Sequence, residues 1–402
     1  MPRSRPRRNP NAMMHAEFPL FVGIMSGTSA DGIDIGIVRF VAQAGCKPEL
    51  IRFFEYPMPD KLRVPILRLA KPGINEIDVM GELGSALGKA YASAALAAIN
   101  HAGLNVSDIA AIGCHGQTIR HQPHAATPFT LQIGCAATIA ERTGITTVSD
   151  FRSRDIAAGG EGAPLAPFAH HQLFGSTDKS IAVLNIGGIA NITWLGADGS
   201  VTGFDTGPGN MVMDGLMLAI SDGRESFDKN GELAASGQVC AALLNTLMAH
   251  PFLGRKPPKS TGREEFSEAV IDRLITWPDI SDVDRLATAC RFTTESIAAS
   301  RQFLPDAPQQ WLVCGGGVRN NYLMQTLRRA LAPAEVMSTD SAGMTAQAVE
   351  AASFAILARQ TLMGQANTIA RVTGASRCVC SGQITPGHNW GKLLQDIPNW
   401  TR

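Results

Sequence analysis

The sequence has no excess of charge of either sign, with 35 Lys and Arg against 35 Asp and Glu in 402 residues. That balance removes any bulk electrostatic case for nucleic acid or an anionic membrane as partner. Charged residues make up only 17% of the chain and hydrophobic ones 45%, which excludes a disordered polypeptide. Long apolar runs are missing too. The nearest, Ile181 to Gly196, is broken by Asn185, Asn191 and glycines, and none reaches the ~18 residues of a membrane helix. No apolar segment of signal-peptide type follows the N-terminus, so a cytoplasmic location with reduced thiols is expected. Of the eight cysteines only Cys378 and Cys380 are close together. A C-x-C pair without a second pair is not a zinc signature, and two packed thiols are expected there. Neither G-x-x-x-x-G-K-[ST] nor a helix-opening G-x-G-x-x-G occurs, which sets aside P-loop and Rossmann readings.

Glycine is what the sequence has in quantity: 40 residues, against a usual share of ~7%, and they are clustered. The length suggests two or three domains. Residues 1–19, with Arg3, Arg5, Arg7 and Arg8, read as a disordered basic leader, or as a docking arm. Beyond it, short β-branched runs alternate with helical patterns, an α/β signature. Strands are expected at 21–25 and 33–40, joined by Ser26-Gly-Thr-Ser-Ala-Asp-Gly32, and again at 109–113 and 146–148. Leu83, Leu87, Tyr91, Ala95 and Ile99 form an i, i+4 stripe, and 136–143 also looks helical. The opening pattern then recurs, with strands at 181–185 and 189–195 around Ile186-Gly187-Gly188. A strand at 311–314 leads through Gly315-Gly316-Gly317 into a helix capped by Asn320 or Asn321, and a long helix is expected over 346–363. Each half opens with a glycine-turned hairpin, so two duplicated lobes facing a cleft are expected. The first lobe is expected over 20–175, with 360–402 returning to it, and the second over 176–359.

Five stretches carry chemistry. The first hairpin turn has two glycines, three hydroxyls and an aspartate, so backbone N–H groups with Ser26, Thr28 and Ser29 can approach a polyphosphate; an ordinary polar turn would use the same residues. The second hairpin, Asn185 to Asn191, can serve the same phosphates or be a buried turn. The triple glycine allows close approach of a flat ring such as adenine beside a helix start, or is a packing turn. In Gly203-Phe-Asp-Thr-Gly-Pro-Gly-Asn210, Asp205 ends a strand before a Gly-Pro turn, fit for a general base, a magnesium ligand or an Asx-turn. Asp150-Phe-Arg152, with Gly159-Gly-Glu-Gly-Ala-Pro164 behind it, reads as a substrate wall in which Arg152 clamps a carboxylate, or pairs with Asp150. His115, at a strand end, is a substrate contact or a structural histidine, and His170-His171 reads as a helix surface pair.

Gly23-Ile-Met-Ser-Gly-Thr-Ser-Ala-Asp-Gly-Ile-Asp34 resembles the opening motif of the anhydro-N-acetylmuramic acid kinases. So do Cys114-His-Gly-Gln-Thr118, Asp150-Phe-Arg152, Gly159 to Leu165, Gly203 to Asn210, Cys314 to Asn320 and Thr373-Gly-Ala375, in order and over nearly the whole chain. The resemblance implies the duplicated ribonuclease-H-like fold of actin, hexokinase and the heat-shock ATPases, with ATP between the lobes. It also implies a cytoplasmic homodimer acting in peptidoglycan recycling. The implied reaction turns 1,6-anhydro-N-acetylmuramic acid, ATP and water into N-acetylmuramic acid 6-phosphate and ADP with Mg2+, and the metal ligands are not indicated. By matching position, Asp205 is the expected catalytic base. ATP is expected on Gly27, Thr28, Ser29, Ala30, Asp31, Gly32, Ile33, Asp34, Asn185, Gly187, Gly188, Gly315, Gly316, Gly317 and Asn320. The sugar is expected on His115, Asp150, Arg152 and Glu350. Cys114 stands where the family usually has serine and Glu161 where it has glutamine. Gln347 and Ala348 replace a frequent acidic residue, and Met25 lies where the wider superfamily has aspartate. The alternatives are a kinase for another sugar or anhydrosugar and an ATP-switched binding protein on the same fold.

Overall fold

Two sheets with the same strand order organise the chain. The structure is a computed structural model that describes residues 19–41, 47–266 and 268–400; the basic leader, apart from Pro19, lies outside the described residues. These fall into two compact units, one running to Leu173 and resuming at Glu350, the other Phe174–Val349. The chain thus re-enters the first unit at Glu350, earlier than the expected 360, and Glu350 belongs to that unit.

In the first unit β1 (Leu20–Met25) and β2 (Gly32–Arg39) form an antiparallel hairpin, and β3 (Glu49–Pro57) continues the meander. β4 (Ile109–Cys114) runs parallel to β1, β7 (Thr147–Ser149) parallel to β4, and β13 (Gln383–Thr385) antiparallel at the edge. β5 (Gln117–Gln122) and β6 (Phe129–Ile133) make a separate two-stranded ribbon. In the second unit β8 (Ile181–Ile186), β9 (Ile189–Leu195) and β10 (Val201–Pro208) are antiparallel, and β11 (Gln310–Cys314) and β12 (Glu335–Ser338) run parallel beside β8. The order β10-β9-β8-β11-β12 repeats β3-β2-β1-β4-β7 strand for strand, with the same parallel and antiparallel senses. This is the duplicated ribonuclease-H-like topology.

The central strands read as continuous apolar runs because helices cover them. Helix Glu76–His101 buries Leu83, Leu87, Tyr91, Ala95 and Ile99, the whole expected stripe. Helix Ala348–Leu362 lies so close to the first sheet that a Cβ on Gly23 would run into the Ala351 carbonyl and one on Gly113 into that of Phe354. These sheet glycines are packing requirements, and the alanines of the facing helix complete the same fit. In the second unit Asn320 caps helix Asn321–Leu331 by accepting from the Leu323 N–H at 2.9 Å, and Leu323, Leu327 and Leu331 point into the core. The triple glycine does not enter this helix directly; a 3-10 turn, Gly316–Arg319, intervenes. His170 is 2% exposed, not on a helix surface, and burial pushes its imidazole down to about 3.

Candidate active site

The turn between β1 and β2 is held from outside the hairpin. Ser26 Oγ donates to Gln117 Oε1 at 2.7 Å and Gln117 Nε2 donates to the Gly27 carbonyl at 3.0 Å, so one buried amide fixes both ends of Ser26-Gly27. The Ala30 N–H closes the turn onto the Gly27 carbonyl at 3.0 Å, and Ala30 takes φ 51°, a left-handed conformation that costs an alanine energy. Thr28 is exposed, Gly27 and Ser29 are half-buried, and Ile33 enters the core. The Asp31 carboxylate turns away to Arg63, whose Nη2 lies at 3.0 Å. Gly27 meets only Ser29 Oγ, at 3.8 Å from an added Cβ, so neither backbone conformation nor packing in this structure demands glycine there.

Where the two strands meet this turn the register pairs Met25 with Asp34. A carboxylate therefore stands on β2 opposite the place where β1 carries Met25. Burial, then the nearby Glu55 and Glu350, push Asp34 up to about 7. Glu350 also acts on Arg152, opposing the burial that lowers the guanidinium to about 10. Arg152 donates through Nε (3.3 Å) and Nη2 (3.0 Å) to Nε2 of His115, and through Nη1 to the Gly162 carbonyl at 2.8 Å. Burial and Arg152 push His115 down to about 3, so it is neutral and accepts at Nε2. Arg152 thus joins His115 to the Gly159–Pro164 loop of the expected wall, with Glu350 near enough to act on its charge. Asp150 is differently engaged. Its Oδ1 accepts from the Ser153 N–H and hydroxyl (3.2 and 2.6 Å) and its Oδ2 from Gln383 at 2.8 Å, the pattern of an Asx turn. The buried Asp155 accepts from the Gly162 N–H and the Thr373 hydroxyl, both at 2.8 Å, which fastens the loop to Thr373-Gly-Ala375.

In the second unit the β8–β9 turn and the Gly-Pro-Gly-Asn turn are laced together. The Gly187 carbonyl accepts from Asn210 N–H (2.8 Å) and the Gly188 carbonyl from Gly209 N–H (2.9 Å), an approach that a Cβ on Gly209 would block. Gly187 and Gly188 themselves have room for a Cβ. The triplet divides the same way: Gly315, at φ 82°, is pressed against Asn185 and Ile186, Gly317 against Ile186, whereas Gly316 sees only Asn210 Nδ2 at 3.7 Å. The packing turn thus accounts for two of these glycines and leaves Gly316 without a structural reason.

Asp205 lies on β10 opposite Asn191, just before a bulge at Gly207. The Lys259–Thr261 segment wraps it: the Asp205 N–H donates to the Lys259 carbonyl at 3.1 Å, and the Thr261 N–H donates to Oδ2 at 2.8 Å. Burial raises the carboxyl to about 6, against the opposing pull of that N–H and of the Lys259 ammonium. Such a carboxylate is ionised at neutral pH yet a better proton acceptor than a solvated one.

The family profile of anhydro-N-acetylmuramic acid kinase matches residues 19–387. An anhydro-N-acetylmuramic acid kinase of Xanthomonas axonopodis pv. citri is 43% identical over 93% of this chain and all of its own length. Those of Vibrio cholerae and Caldanaerobacter subterraneus are each 41% identical, over 92% and 91% of this chain and 99% and 96% of their own. The chain belongs to the anhydro-N-acetylmuramic acid kinase family. Within that family frame, sequence reasoning passed over Gln117, Asp155, Lys259 and Thr261. Gln117 sat inside a motif already singled out. Lys259 and Thr261 follow two prolines in Lys256-Pro-Pro-Lys-Ser-Thr-Gly262, and no spacing rule connects them to a carboxylate more than fifty residues upstream. Among the described residues no three His, Cys, Asp or Glu side chains gather as a metal cage, and no helix is long and apolar enough to cross a membrane.

Proposed function

We propose that this protein opens 1,6-anhydro-N-acetylmuramic acid with water and phosphorylates it from ATP, yielding N-acetylmuramic acid 6-phosphate and ADP. Family membership over nearly the whole chain supports the substrate pair. The observation that carries the chemistry is Asp205, half-buried, fixed at Oδ2 and raised to about 6. Asp205 takes a proton from water as the water oxygen bonds to C1. The C1–O bond of the bridge breaks, the freed 6-oxygen bonds to the γ-phosphorus, and the bond to the β-phosphate oxygen breaks with release of ADP. The other water proton stays on the new C1 hydroxyl.

For the phosphates we assign the positions where glycine has no internal reason: Gly27 in the first unit, Gly187, Gly188 and Gly316 in the second. Phosphoryl transfer asks mainly for positioning and charge stabilisation, which N–H groups at such turns provide. Mg2+ fits as an ATP-borne ion, because it is usually held by one or two carboxylates plus phosphates and not by an all-protein cage. The oxygens this chain offers it are Asp34 and the hydroxyls of Thr28 and Ser29, and its chemistry is charge neutralisation on the phosphates. His115, Arg152 and Glu350 are assigned to the sugar, with Arg152 suited to a carboxylate. Asp150 and Asn320, whose side chains are occupied as turn and cap, are assigned to holding the walls of these sites. A cytoplasmic setting and the homodimer rest on the family resemblance.

The test is product analysis in labelled water. With anhydromuramic substrate and ATP, the 6-phosphate should carry one heavy oxygen at C1; an unlabelled product, or equal turnover of an anhydroglucose substrate, would overturn the assignment.

A further inference from the structure

Lys259 is buried to 8% exposure in the second unit, an unusual place for an ammonium. Three aromatic rings surround it, with Nζ 4.8 Å from the centroids of Phe252 and Phe303 and 5.8 Å from that of Phe204. Its nearest polar contacts are the carbonyls of Phe252 and Leu253 at 3.4 and 3.3 Å, both long. Ring faces and carbonyls hold a cation while leaving its charge unneutralised by a direct carboxylate partner. The same residue's carbonyl accepts the Asp205 N–H, and Thr261, two positions on, donates to the Asp205 carboxylate. Phe204, one wall of the cage, is the neighbour of Asp205 on β10.

We infer that Lys259 is a positioning residue for Asp205, a caged positive charge that keeps the carboxylate ionised where burial would protonate it. The inference rests on the reading of Asp205 as the base. Only ring faces and two carbonyls are seen around this ammonium, and among the described residues no carboxylate pairs with it. Arg255, paired with Glu265, lies on the turn packed against β10 and acts on Lys259. The helix Asp282–Ala299, which also packs against β10, carries the mutually paired Arg291 and Glu295. β9 presents the neutral Asn191. Among the described groups, the Lys259 ammonium thus acts with the Thr261 N–H to favour the ionised form of Asp205.

The experiment compares wild type with Lys259→Met, which keeps the length and suits the aromatic cage, and Lys259→Arg, which keeps the charge. Two readouts are taken: the kcat/KM pH profile, and direct titration of the Asp205 carboxyl by carbon-13 NMR, assigned with Asp205→Asn. In Lys259→Met the carboxyl titration and the acid limb should both move up by about one pH unit or more, a roughly tenfold rate loss on the acid side that recovers at high pH. Lys259→Arg should leave both near wild type. An unmoved titration in Lys259→Met, or a rate loss equal at every pH, overturns the inference. A titration that moves while the acid limb stays put supports the charge effect and overturns the reading of Asp205 as base. Loss of folding in Lys259→Met with rescue by Lys259→Arg and an unchanged titration there supports it; loss in both overturns it in favour of a packing role.

Discussion

At the scale of a residue, the proposed mechanism turns on Asp205. Asp205→Asn keeps the side-chain size and an oxygen able to accept from the Thr261 N–H, so β10 and its bulge should survive. The proton acceptor is gone. General-base catalysis is commonly worth 10²–10⁴-fold, so kcat should fall by about that factor, roughly 3–5 kcal/mol of barrier. ATP and sugar should each bind within about tenfold of wild type, because the base acts mainly in the transition state. Steady-state kinetics beside calorimetric binding constants check this. Turnover within threefold of wild type would remove Asp205 from the mechanism. The sequence singled Asp205 out as a carboxylate between a strand and a Gly-Pro turn, and the family resemblance supplied the role of base. Its partners were not legible in the sequence. Lys259 and Thr261 meet it through backbone geometry, and the pattern of Lys-Pro-Pro-Lys reads as a solvated loop.

At the scale of elements, the glycines separate into two populations that the sequence alone does not distinguish. Gly23 and Gly113 let the helix Ala348–Leu362 rest on β1 and β4, whereas Gly27, four residues from Gly23, has open space around it. Gly23→Ala should therefore force the helix away at a cost of ~1–3 kcal/mol or more, visible as an earlier denaturation midpoint. Gly27→Val should melt within a degree or two of wild type while ATP binding weakens at least about tenfold, as its side chain fills the approach, and sugar binding changes little. Equal weakening of both ligands would remove Gly27 from the phosphate site. The inner strands of both sheets, the alanine stripe of Glu76–His101 and the Asn320 cap were readable from periodicity and capping chemistry, whereas β3 and the β5–β6 ribbon were not expected. The edge strands β12 and β13 were not, being only four and three residues long and stabilised by their neighbours in the sheet. The burial of His170 was likewise hidden, because Ala166–Phe174 is apolar on most of its surface and carries no period that marks one side as outside.

Across the whole molecule, two sets of buried titratable groups pull stability in opposite directions with pH. His115 and His170 are held down to about 3 by burial, from an ordinary 6.5. A depressed folded-state value gives stability that is present above 6.5 and lost as pH falls toward 3. Asp34 and Asp205 are raised to about 7 and about 6, so they favour the folded state below 3.8 and that contribution is lost as pH rises through 6 to 7. Asp34→Asn isolates the second effect, because asparagine imitates the protonated acid and escapes the repulsion from Glu55 and Glu350. At pH 8 the variant should be more stable than wild type, by on the order of 2 kcal/mol. The advantage should shrink below pH 7 and vanish near pH 4, where the wild-type carboxyl is protonated too. With two units, each with its own core, a single unfolding free energy is not the right measure. Hydrogen exchange compared at equal pH, read in peptides of β1, β2 and the Glu76–His101 helix, reports the first unit directly. Greater protection of the variant at pH 8 and none at pH 4–5 is the expected result. A variant less protected at pH 8 would mean that the ionised Asp34 is repaid by a cation, with Arg152 the candidate through Glu350, and that its cost to the fold is smaller than its surroundings imply.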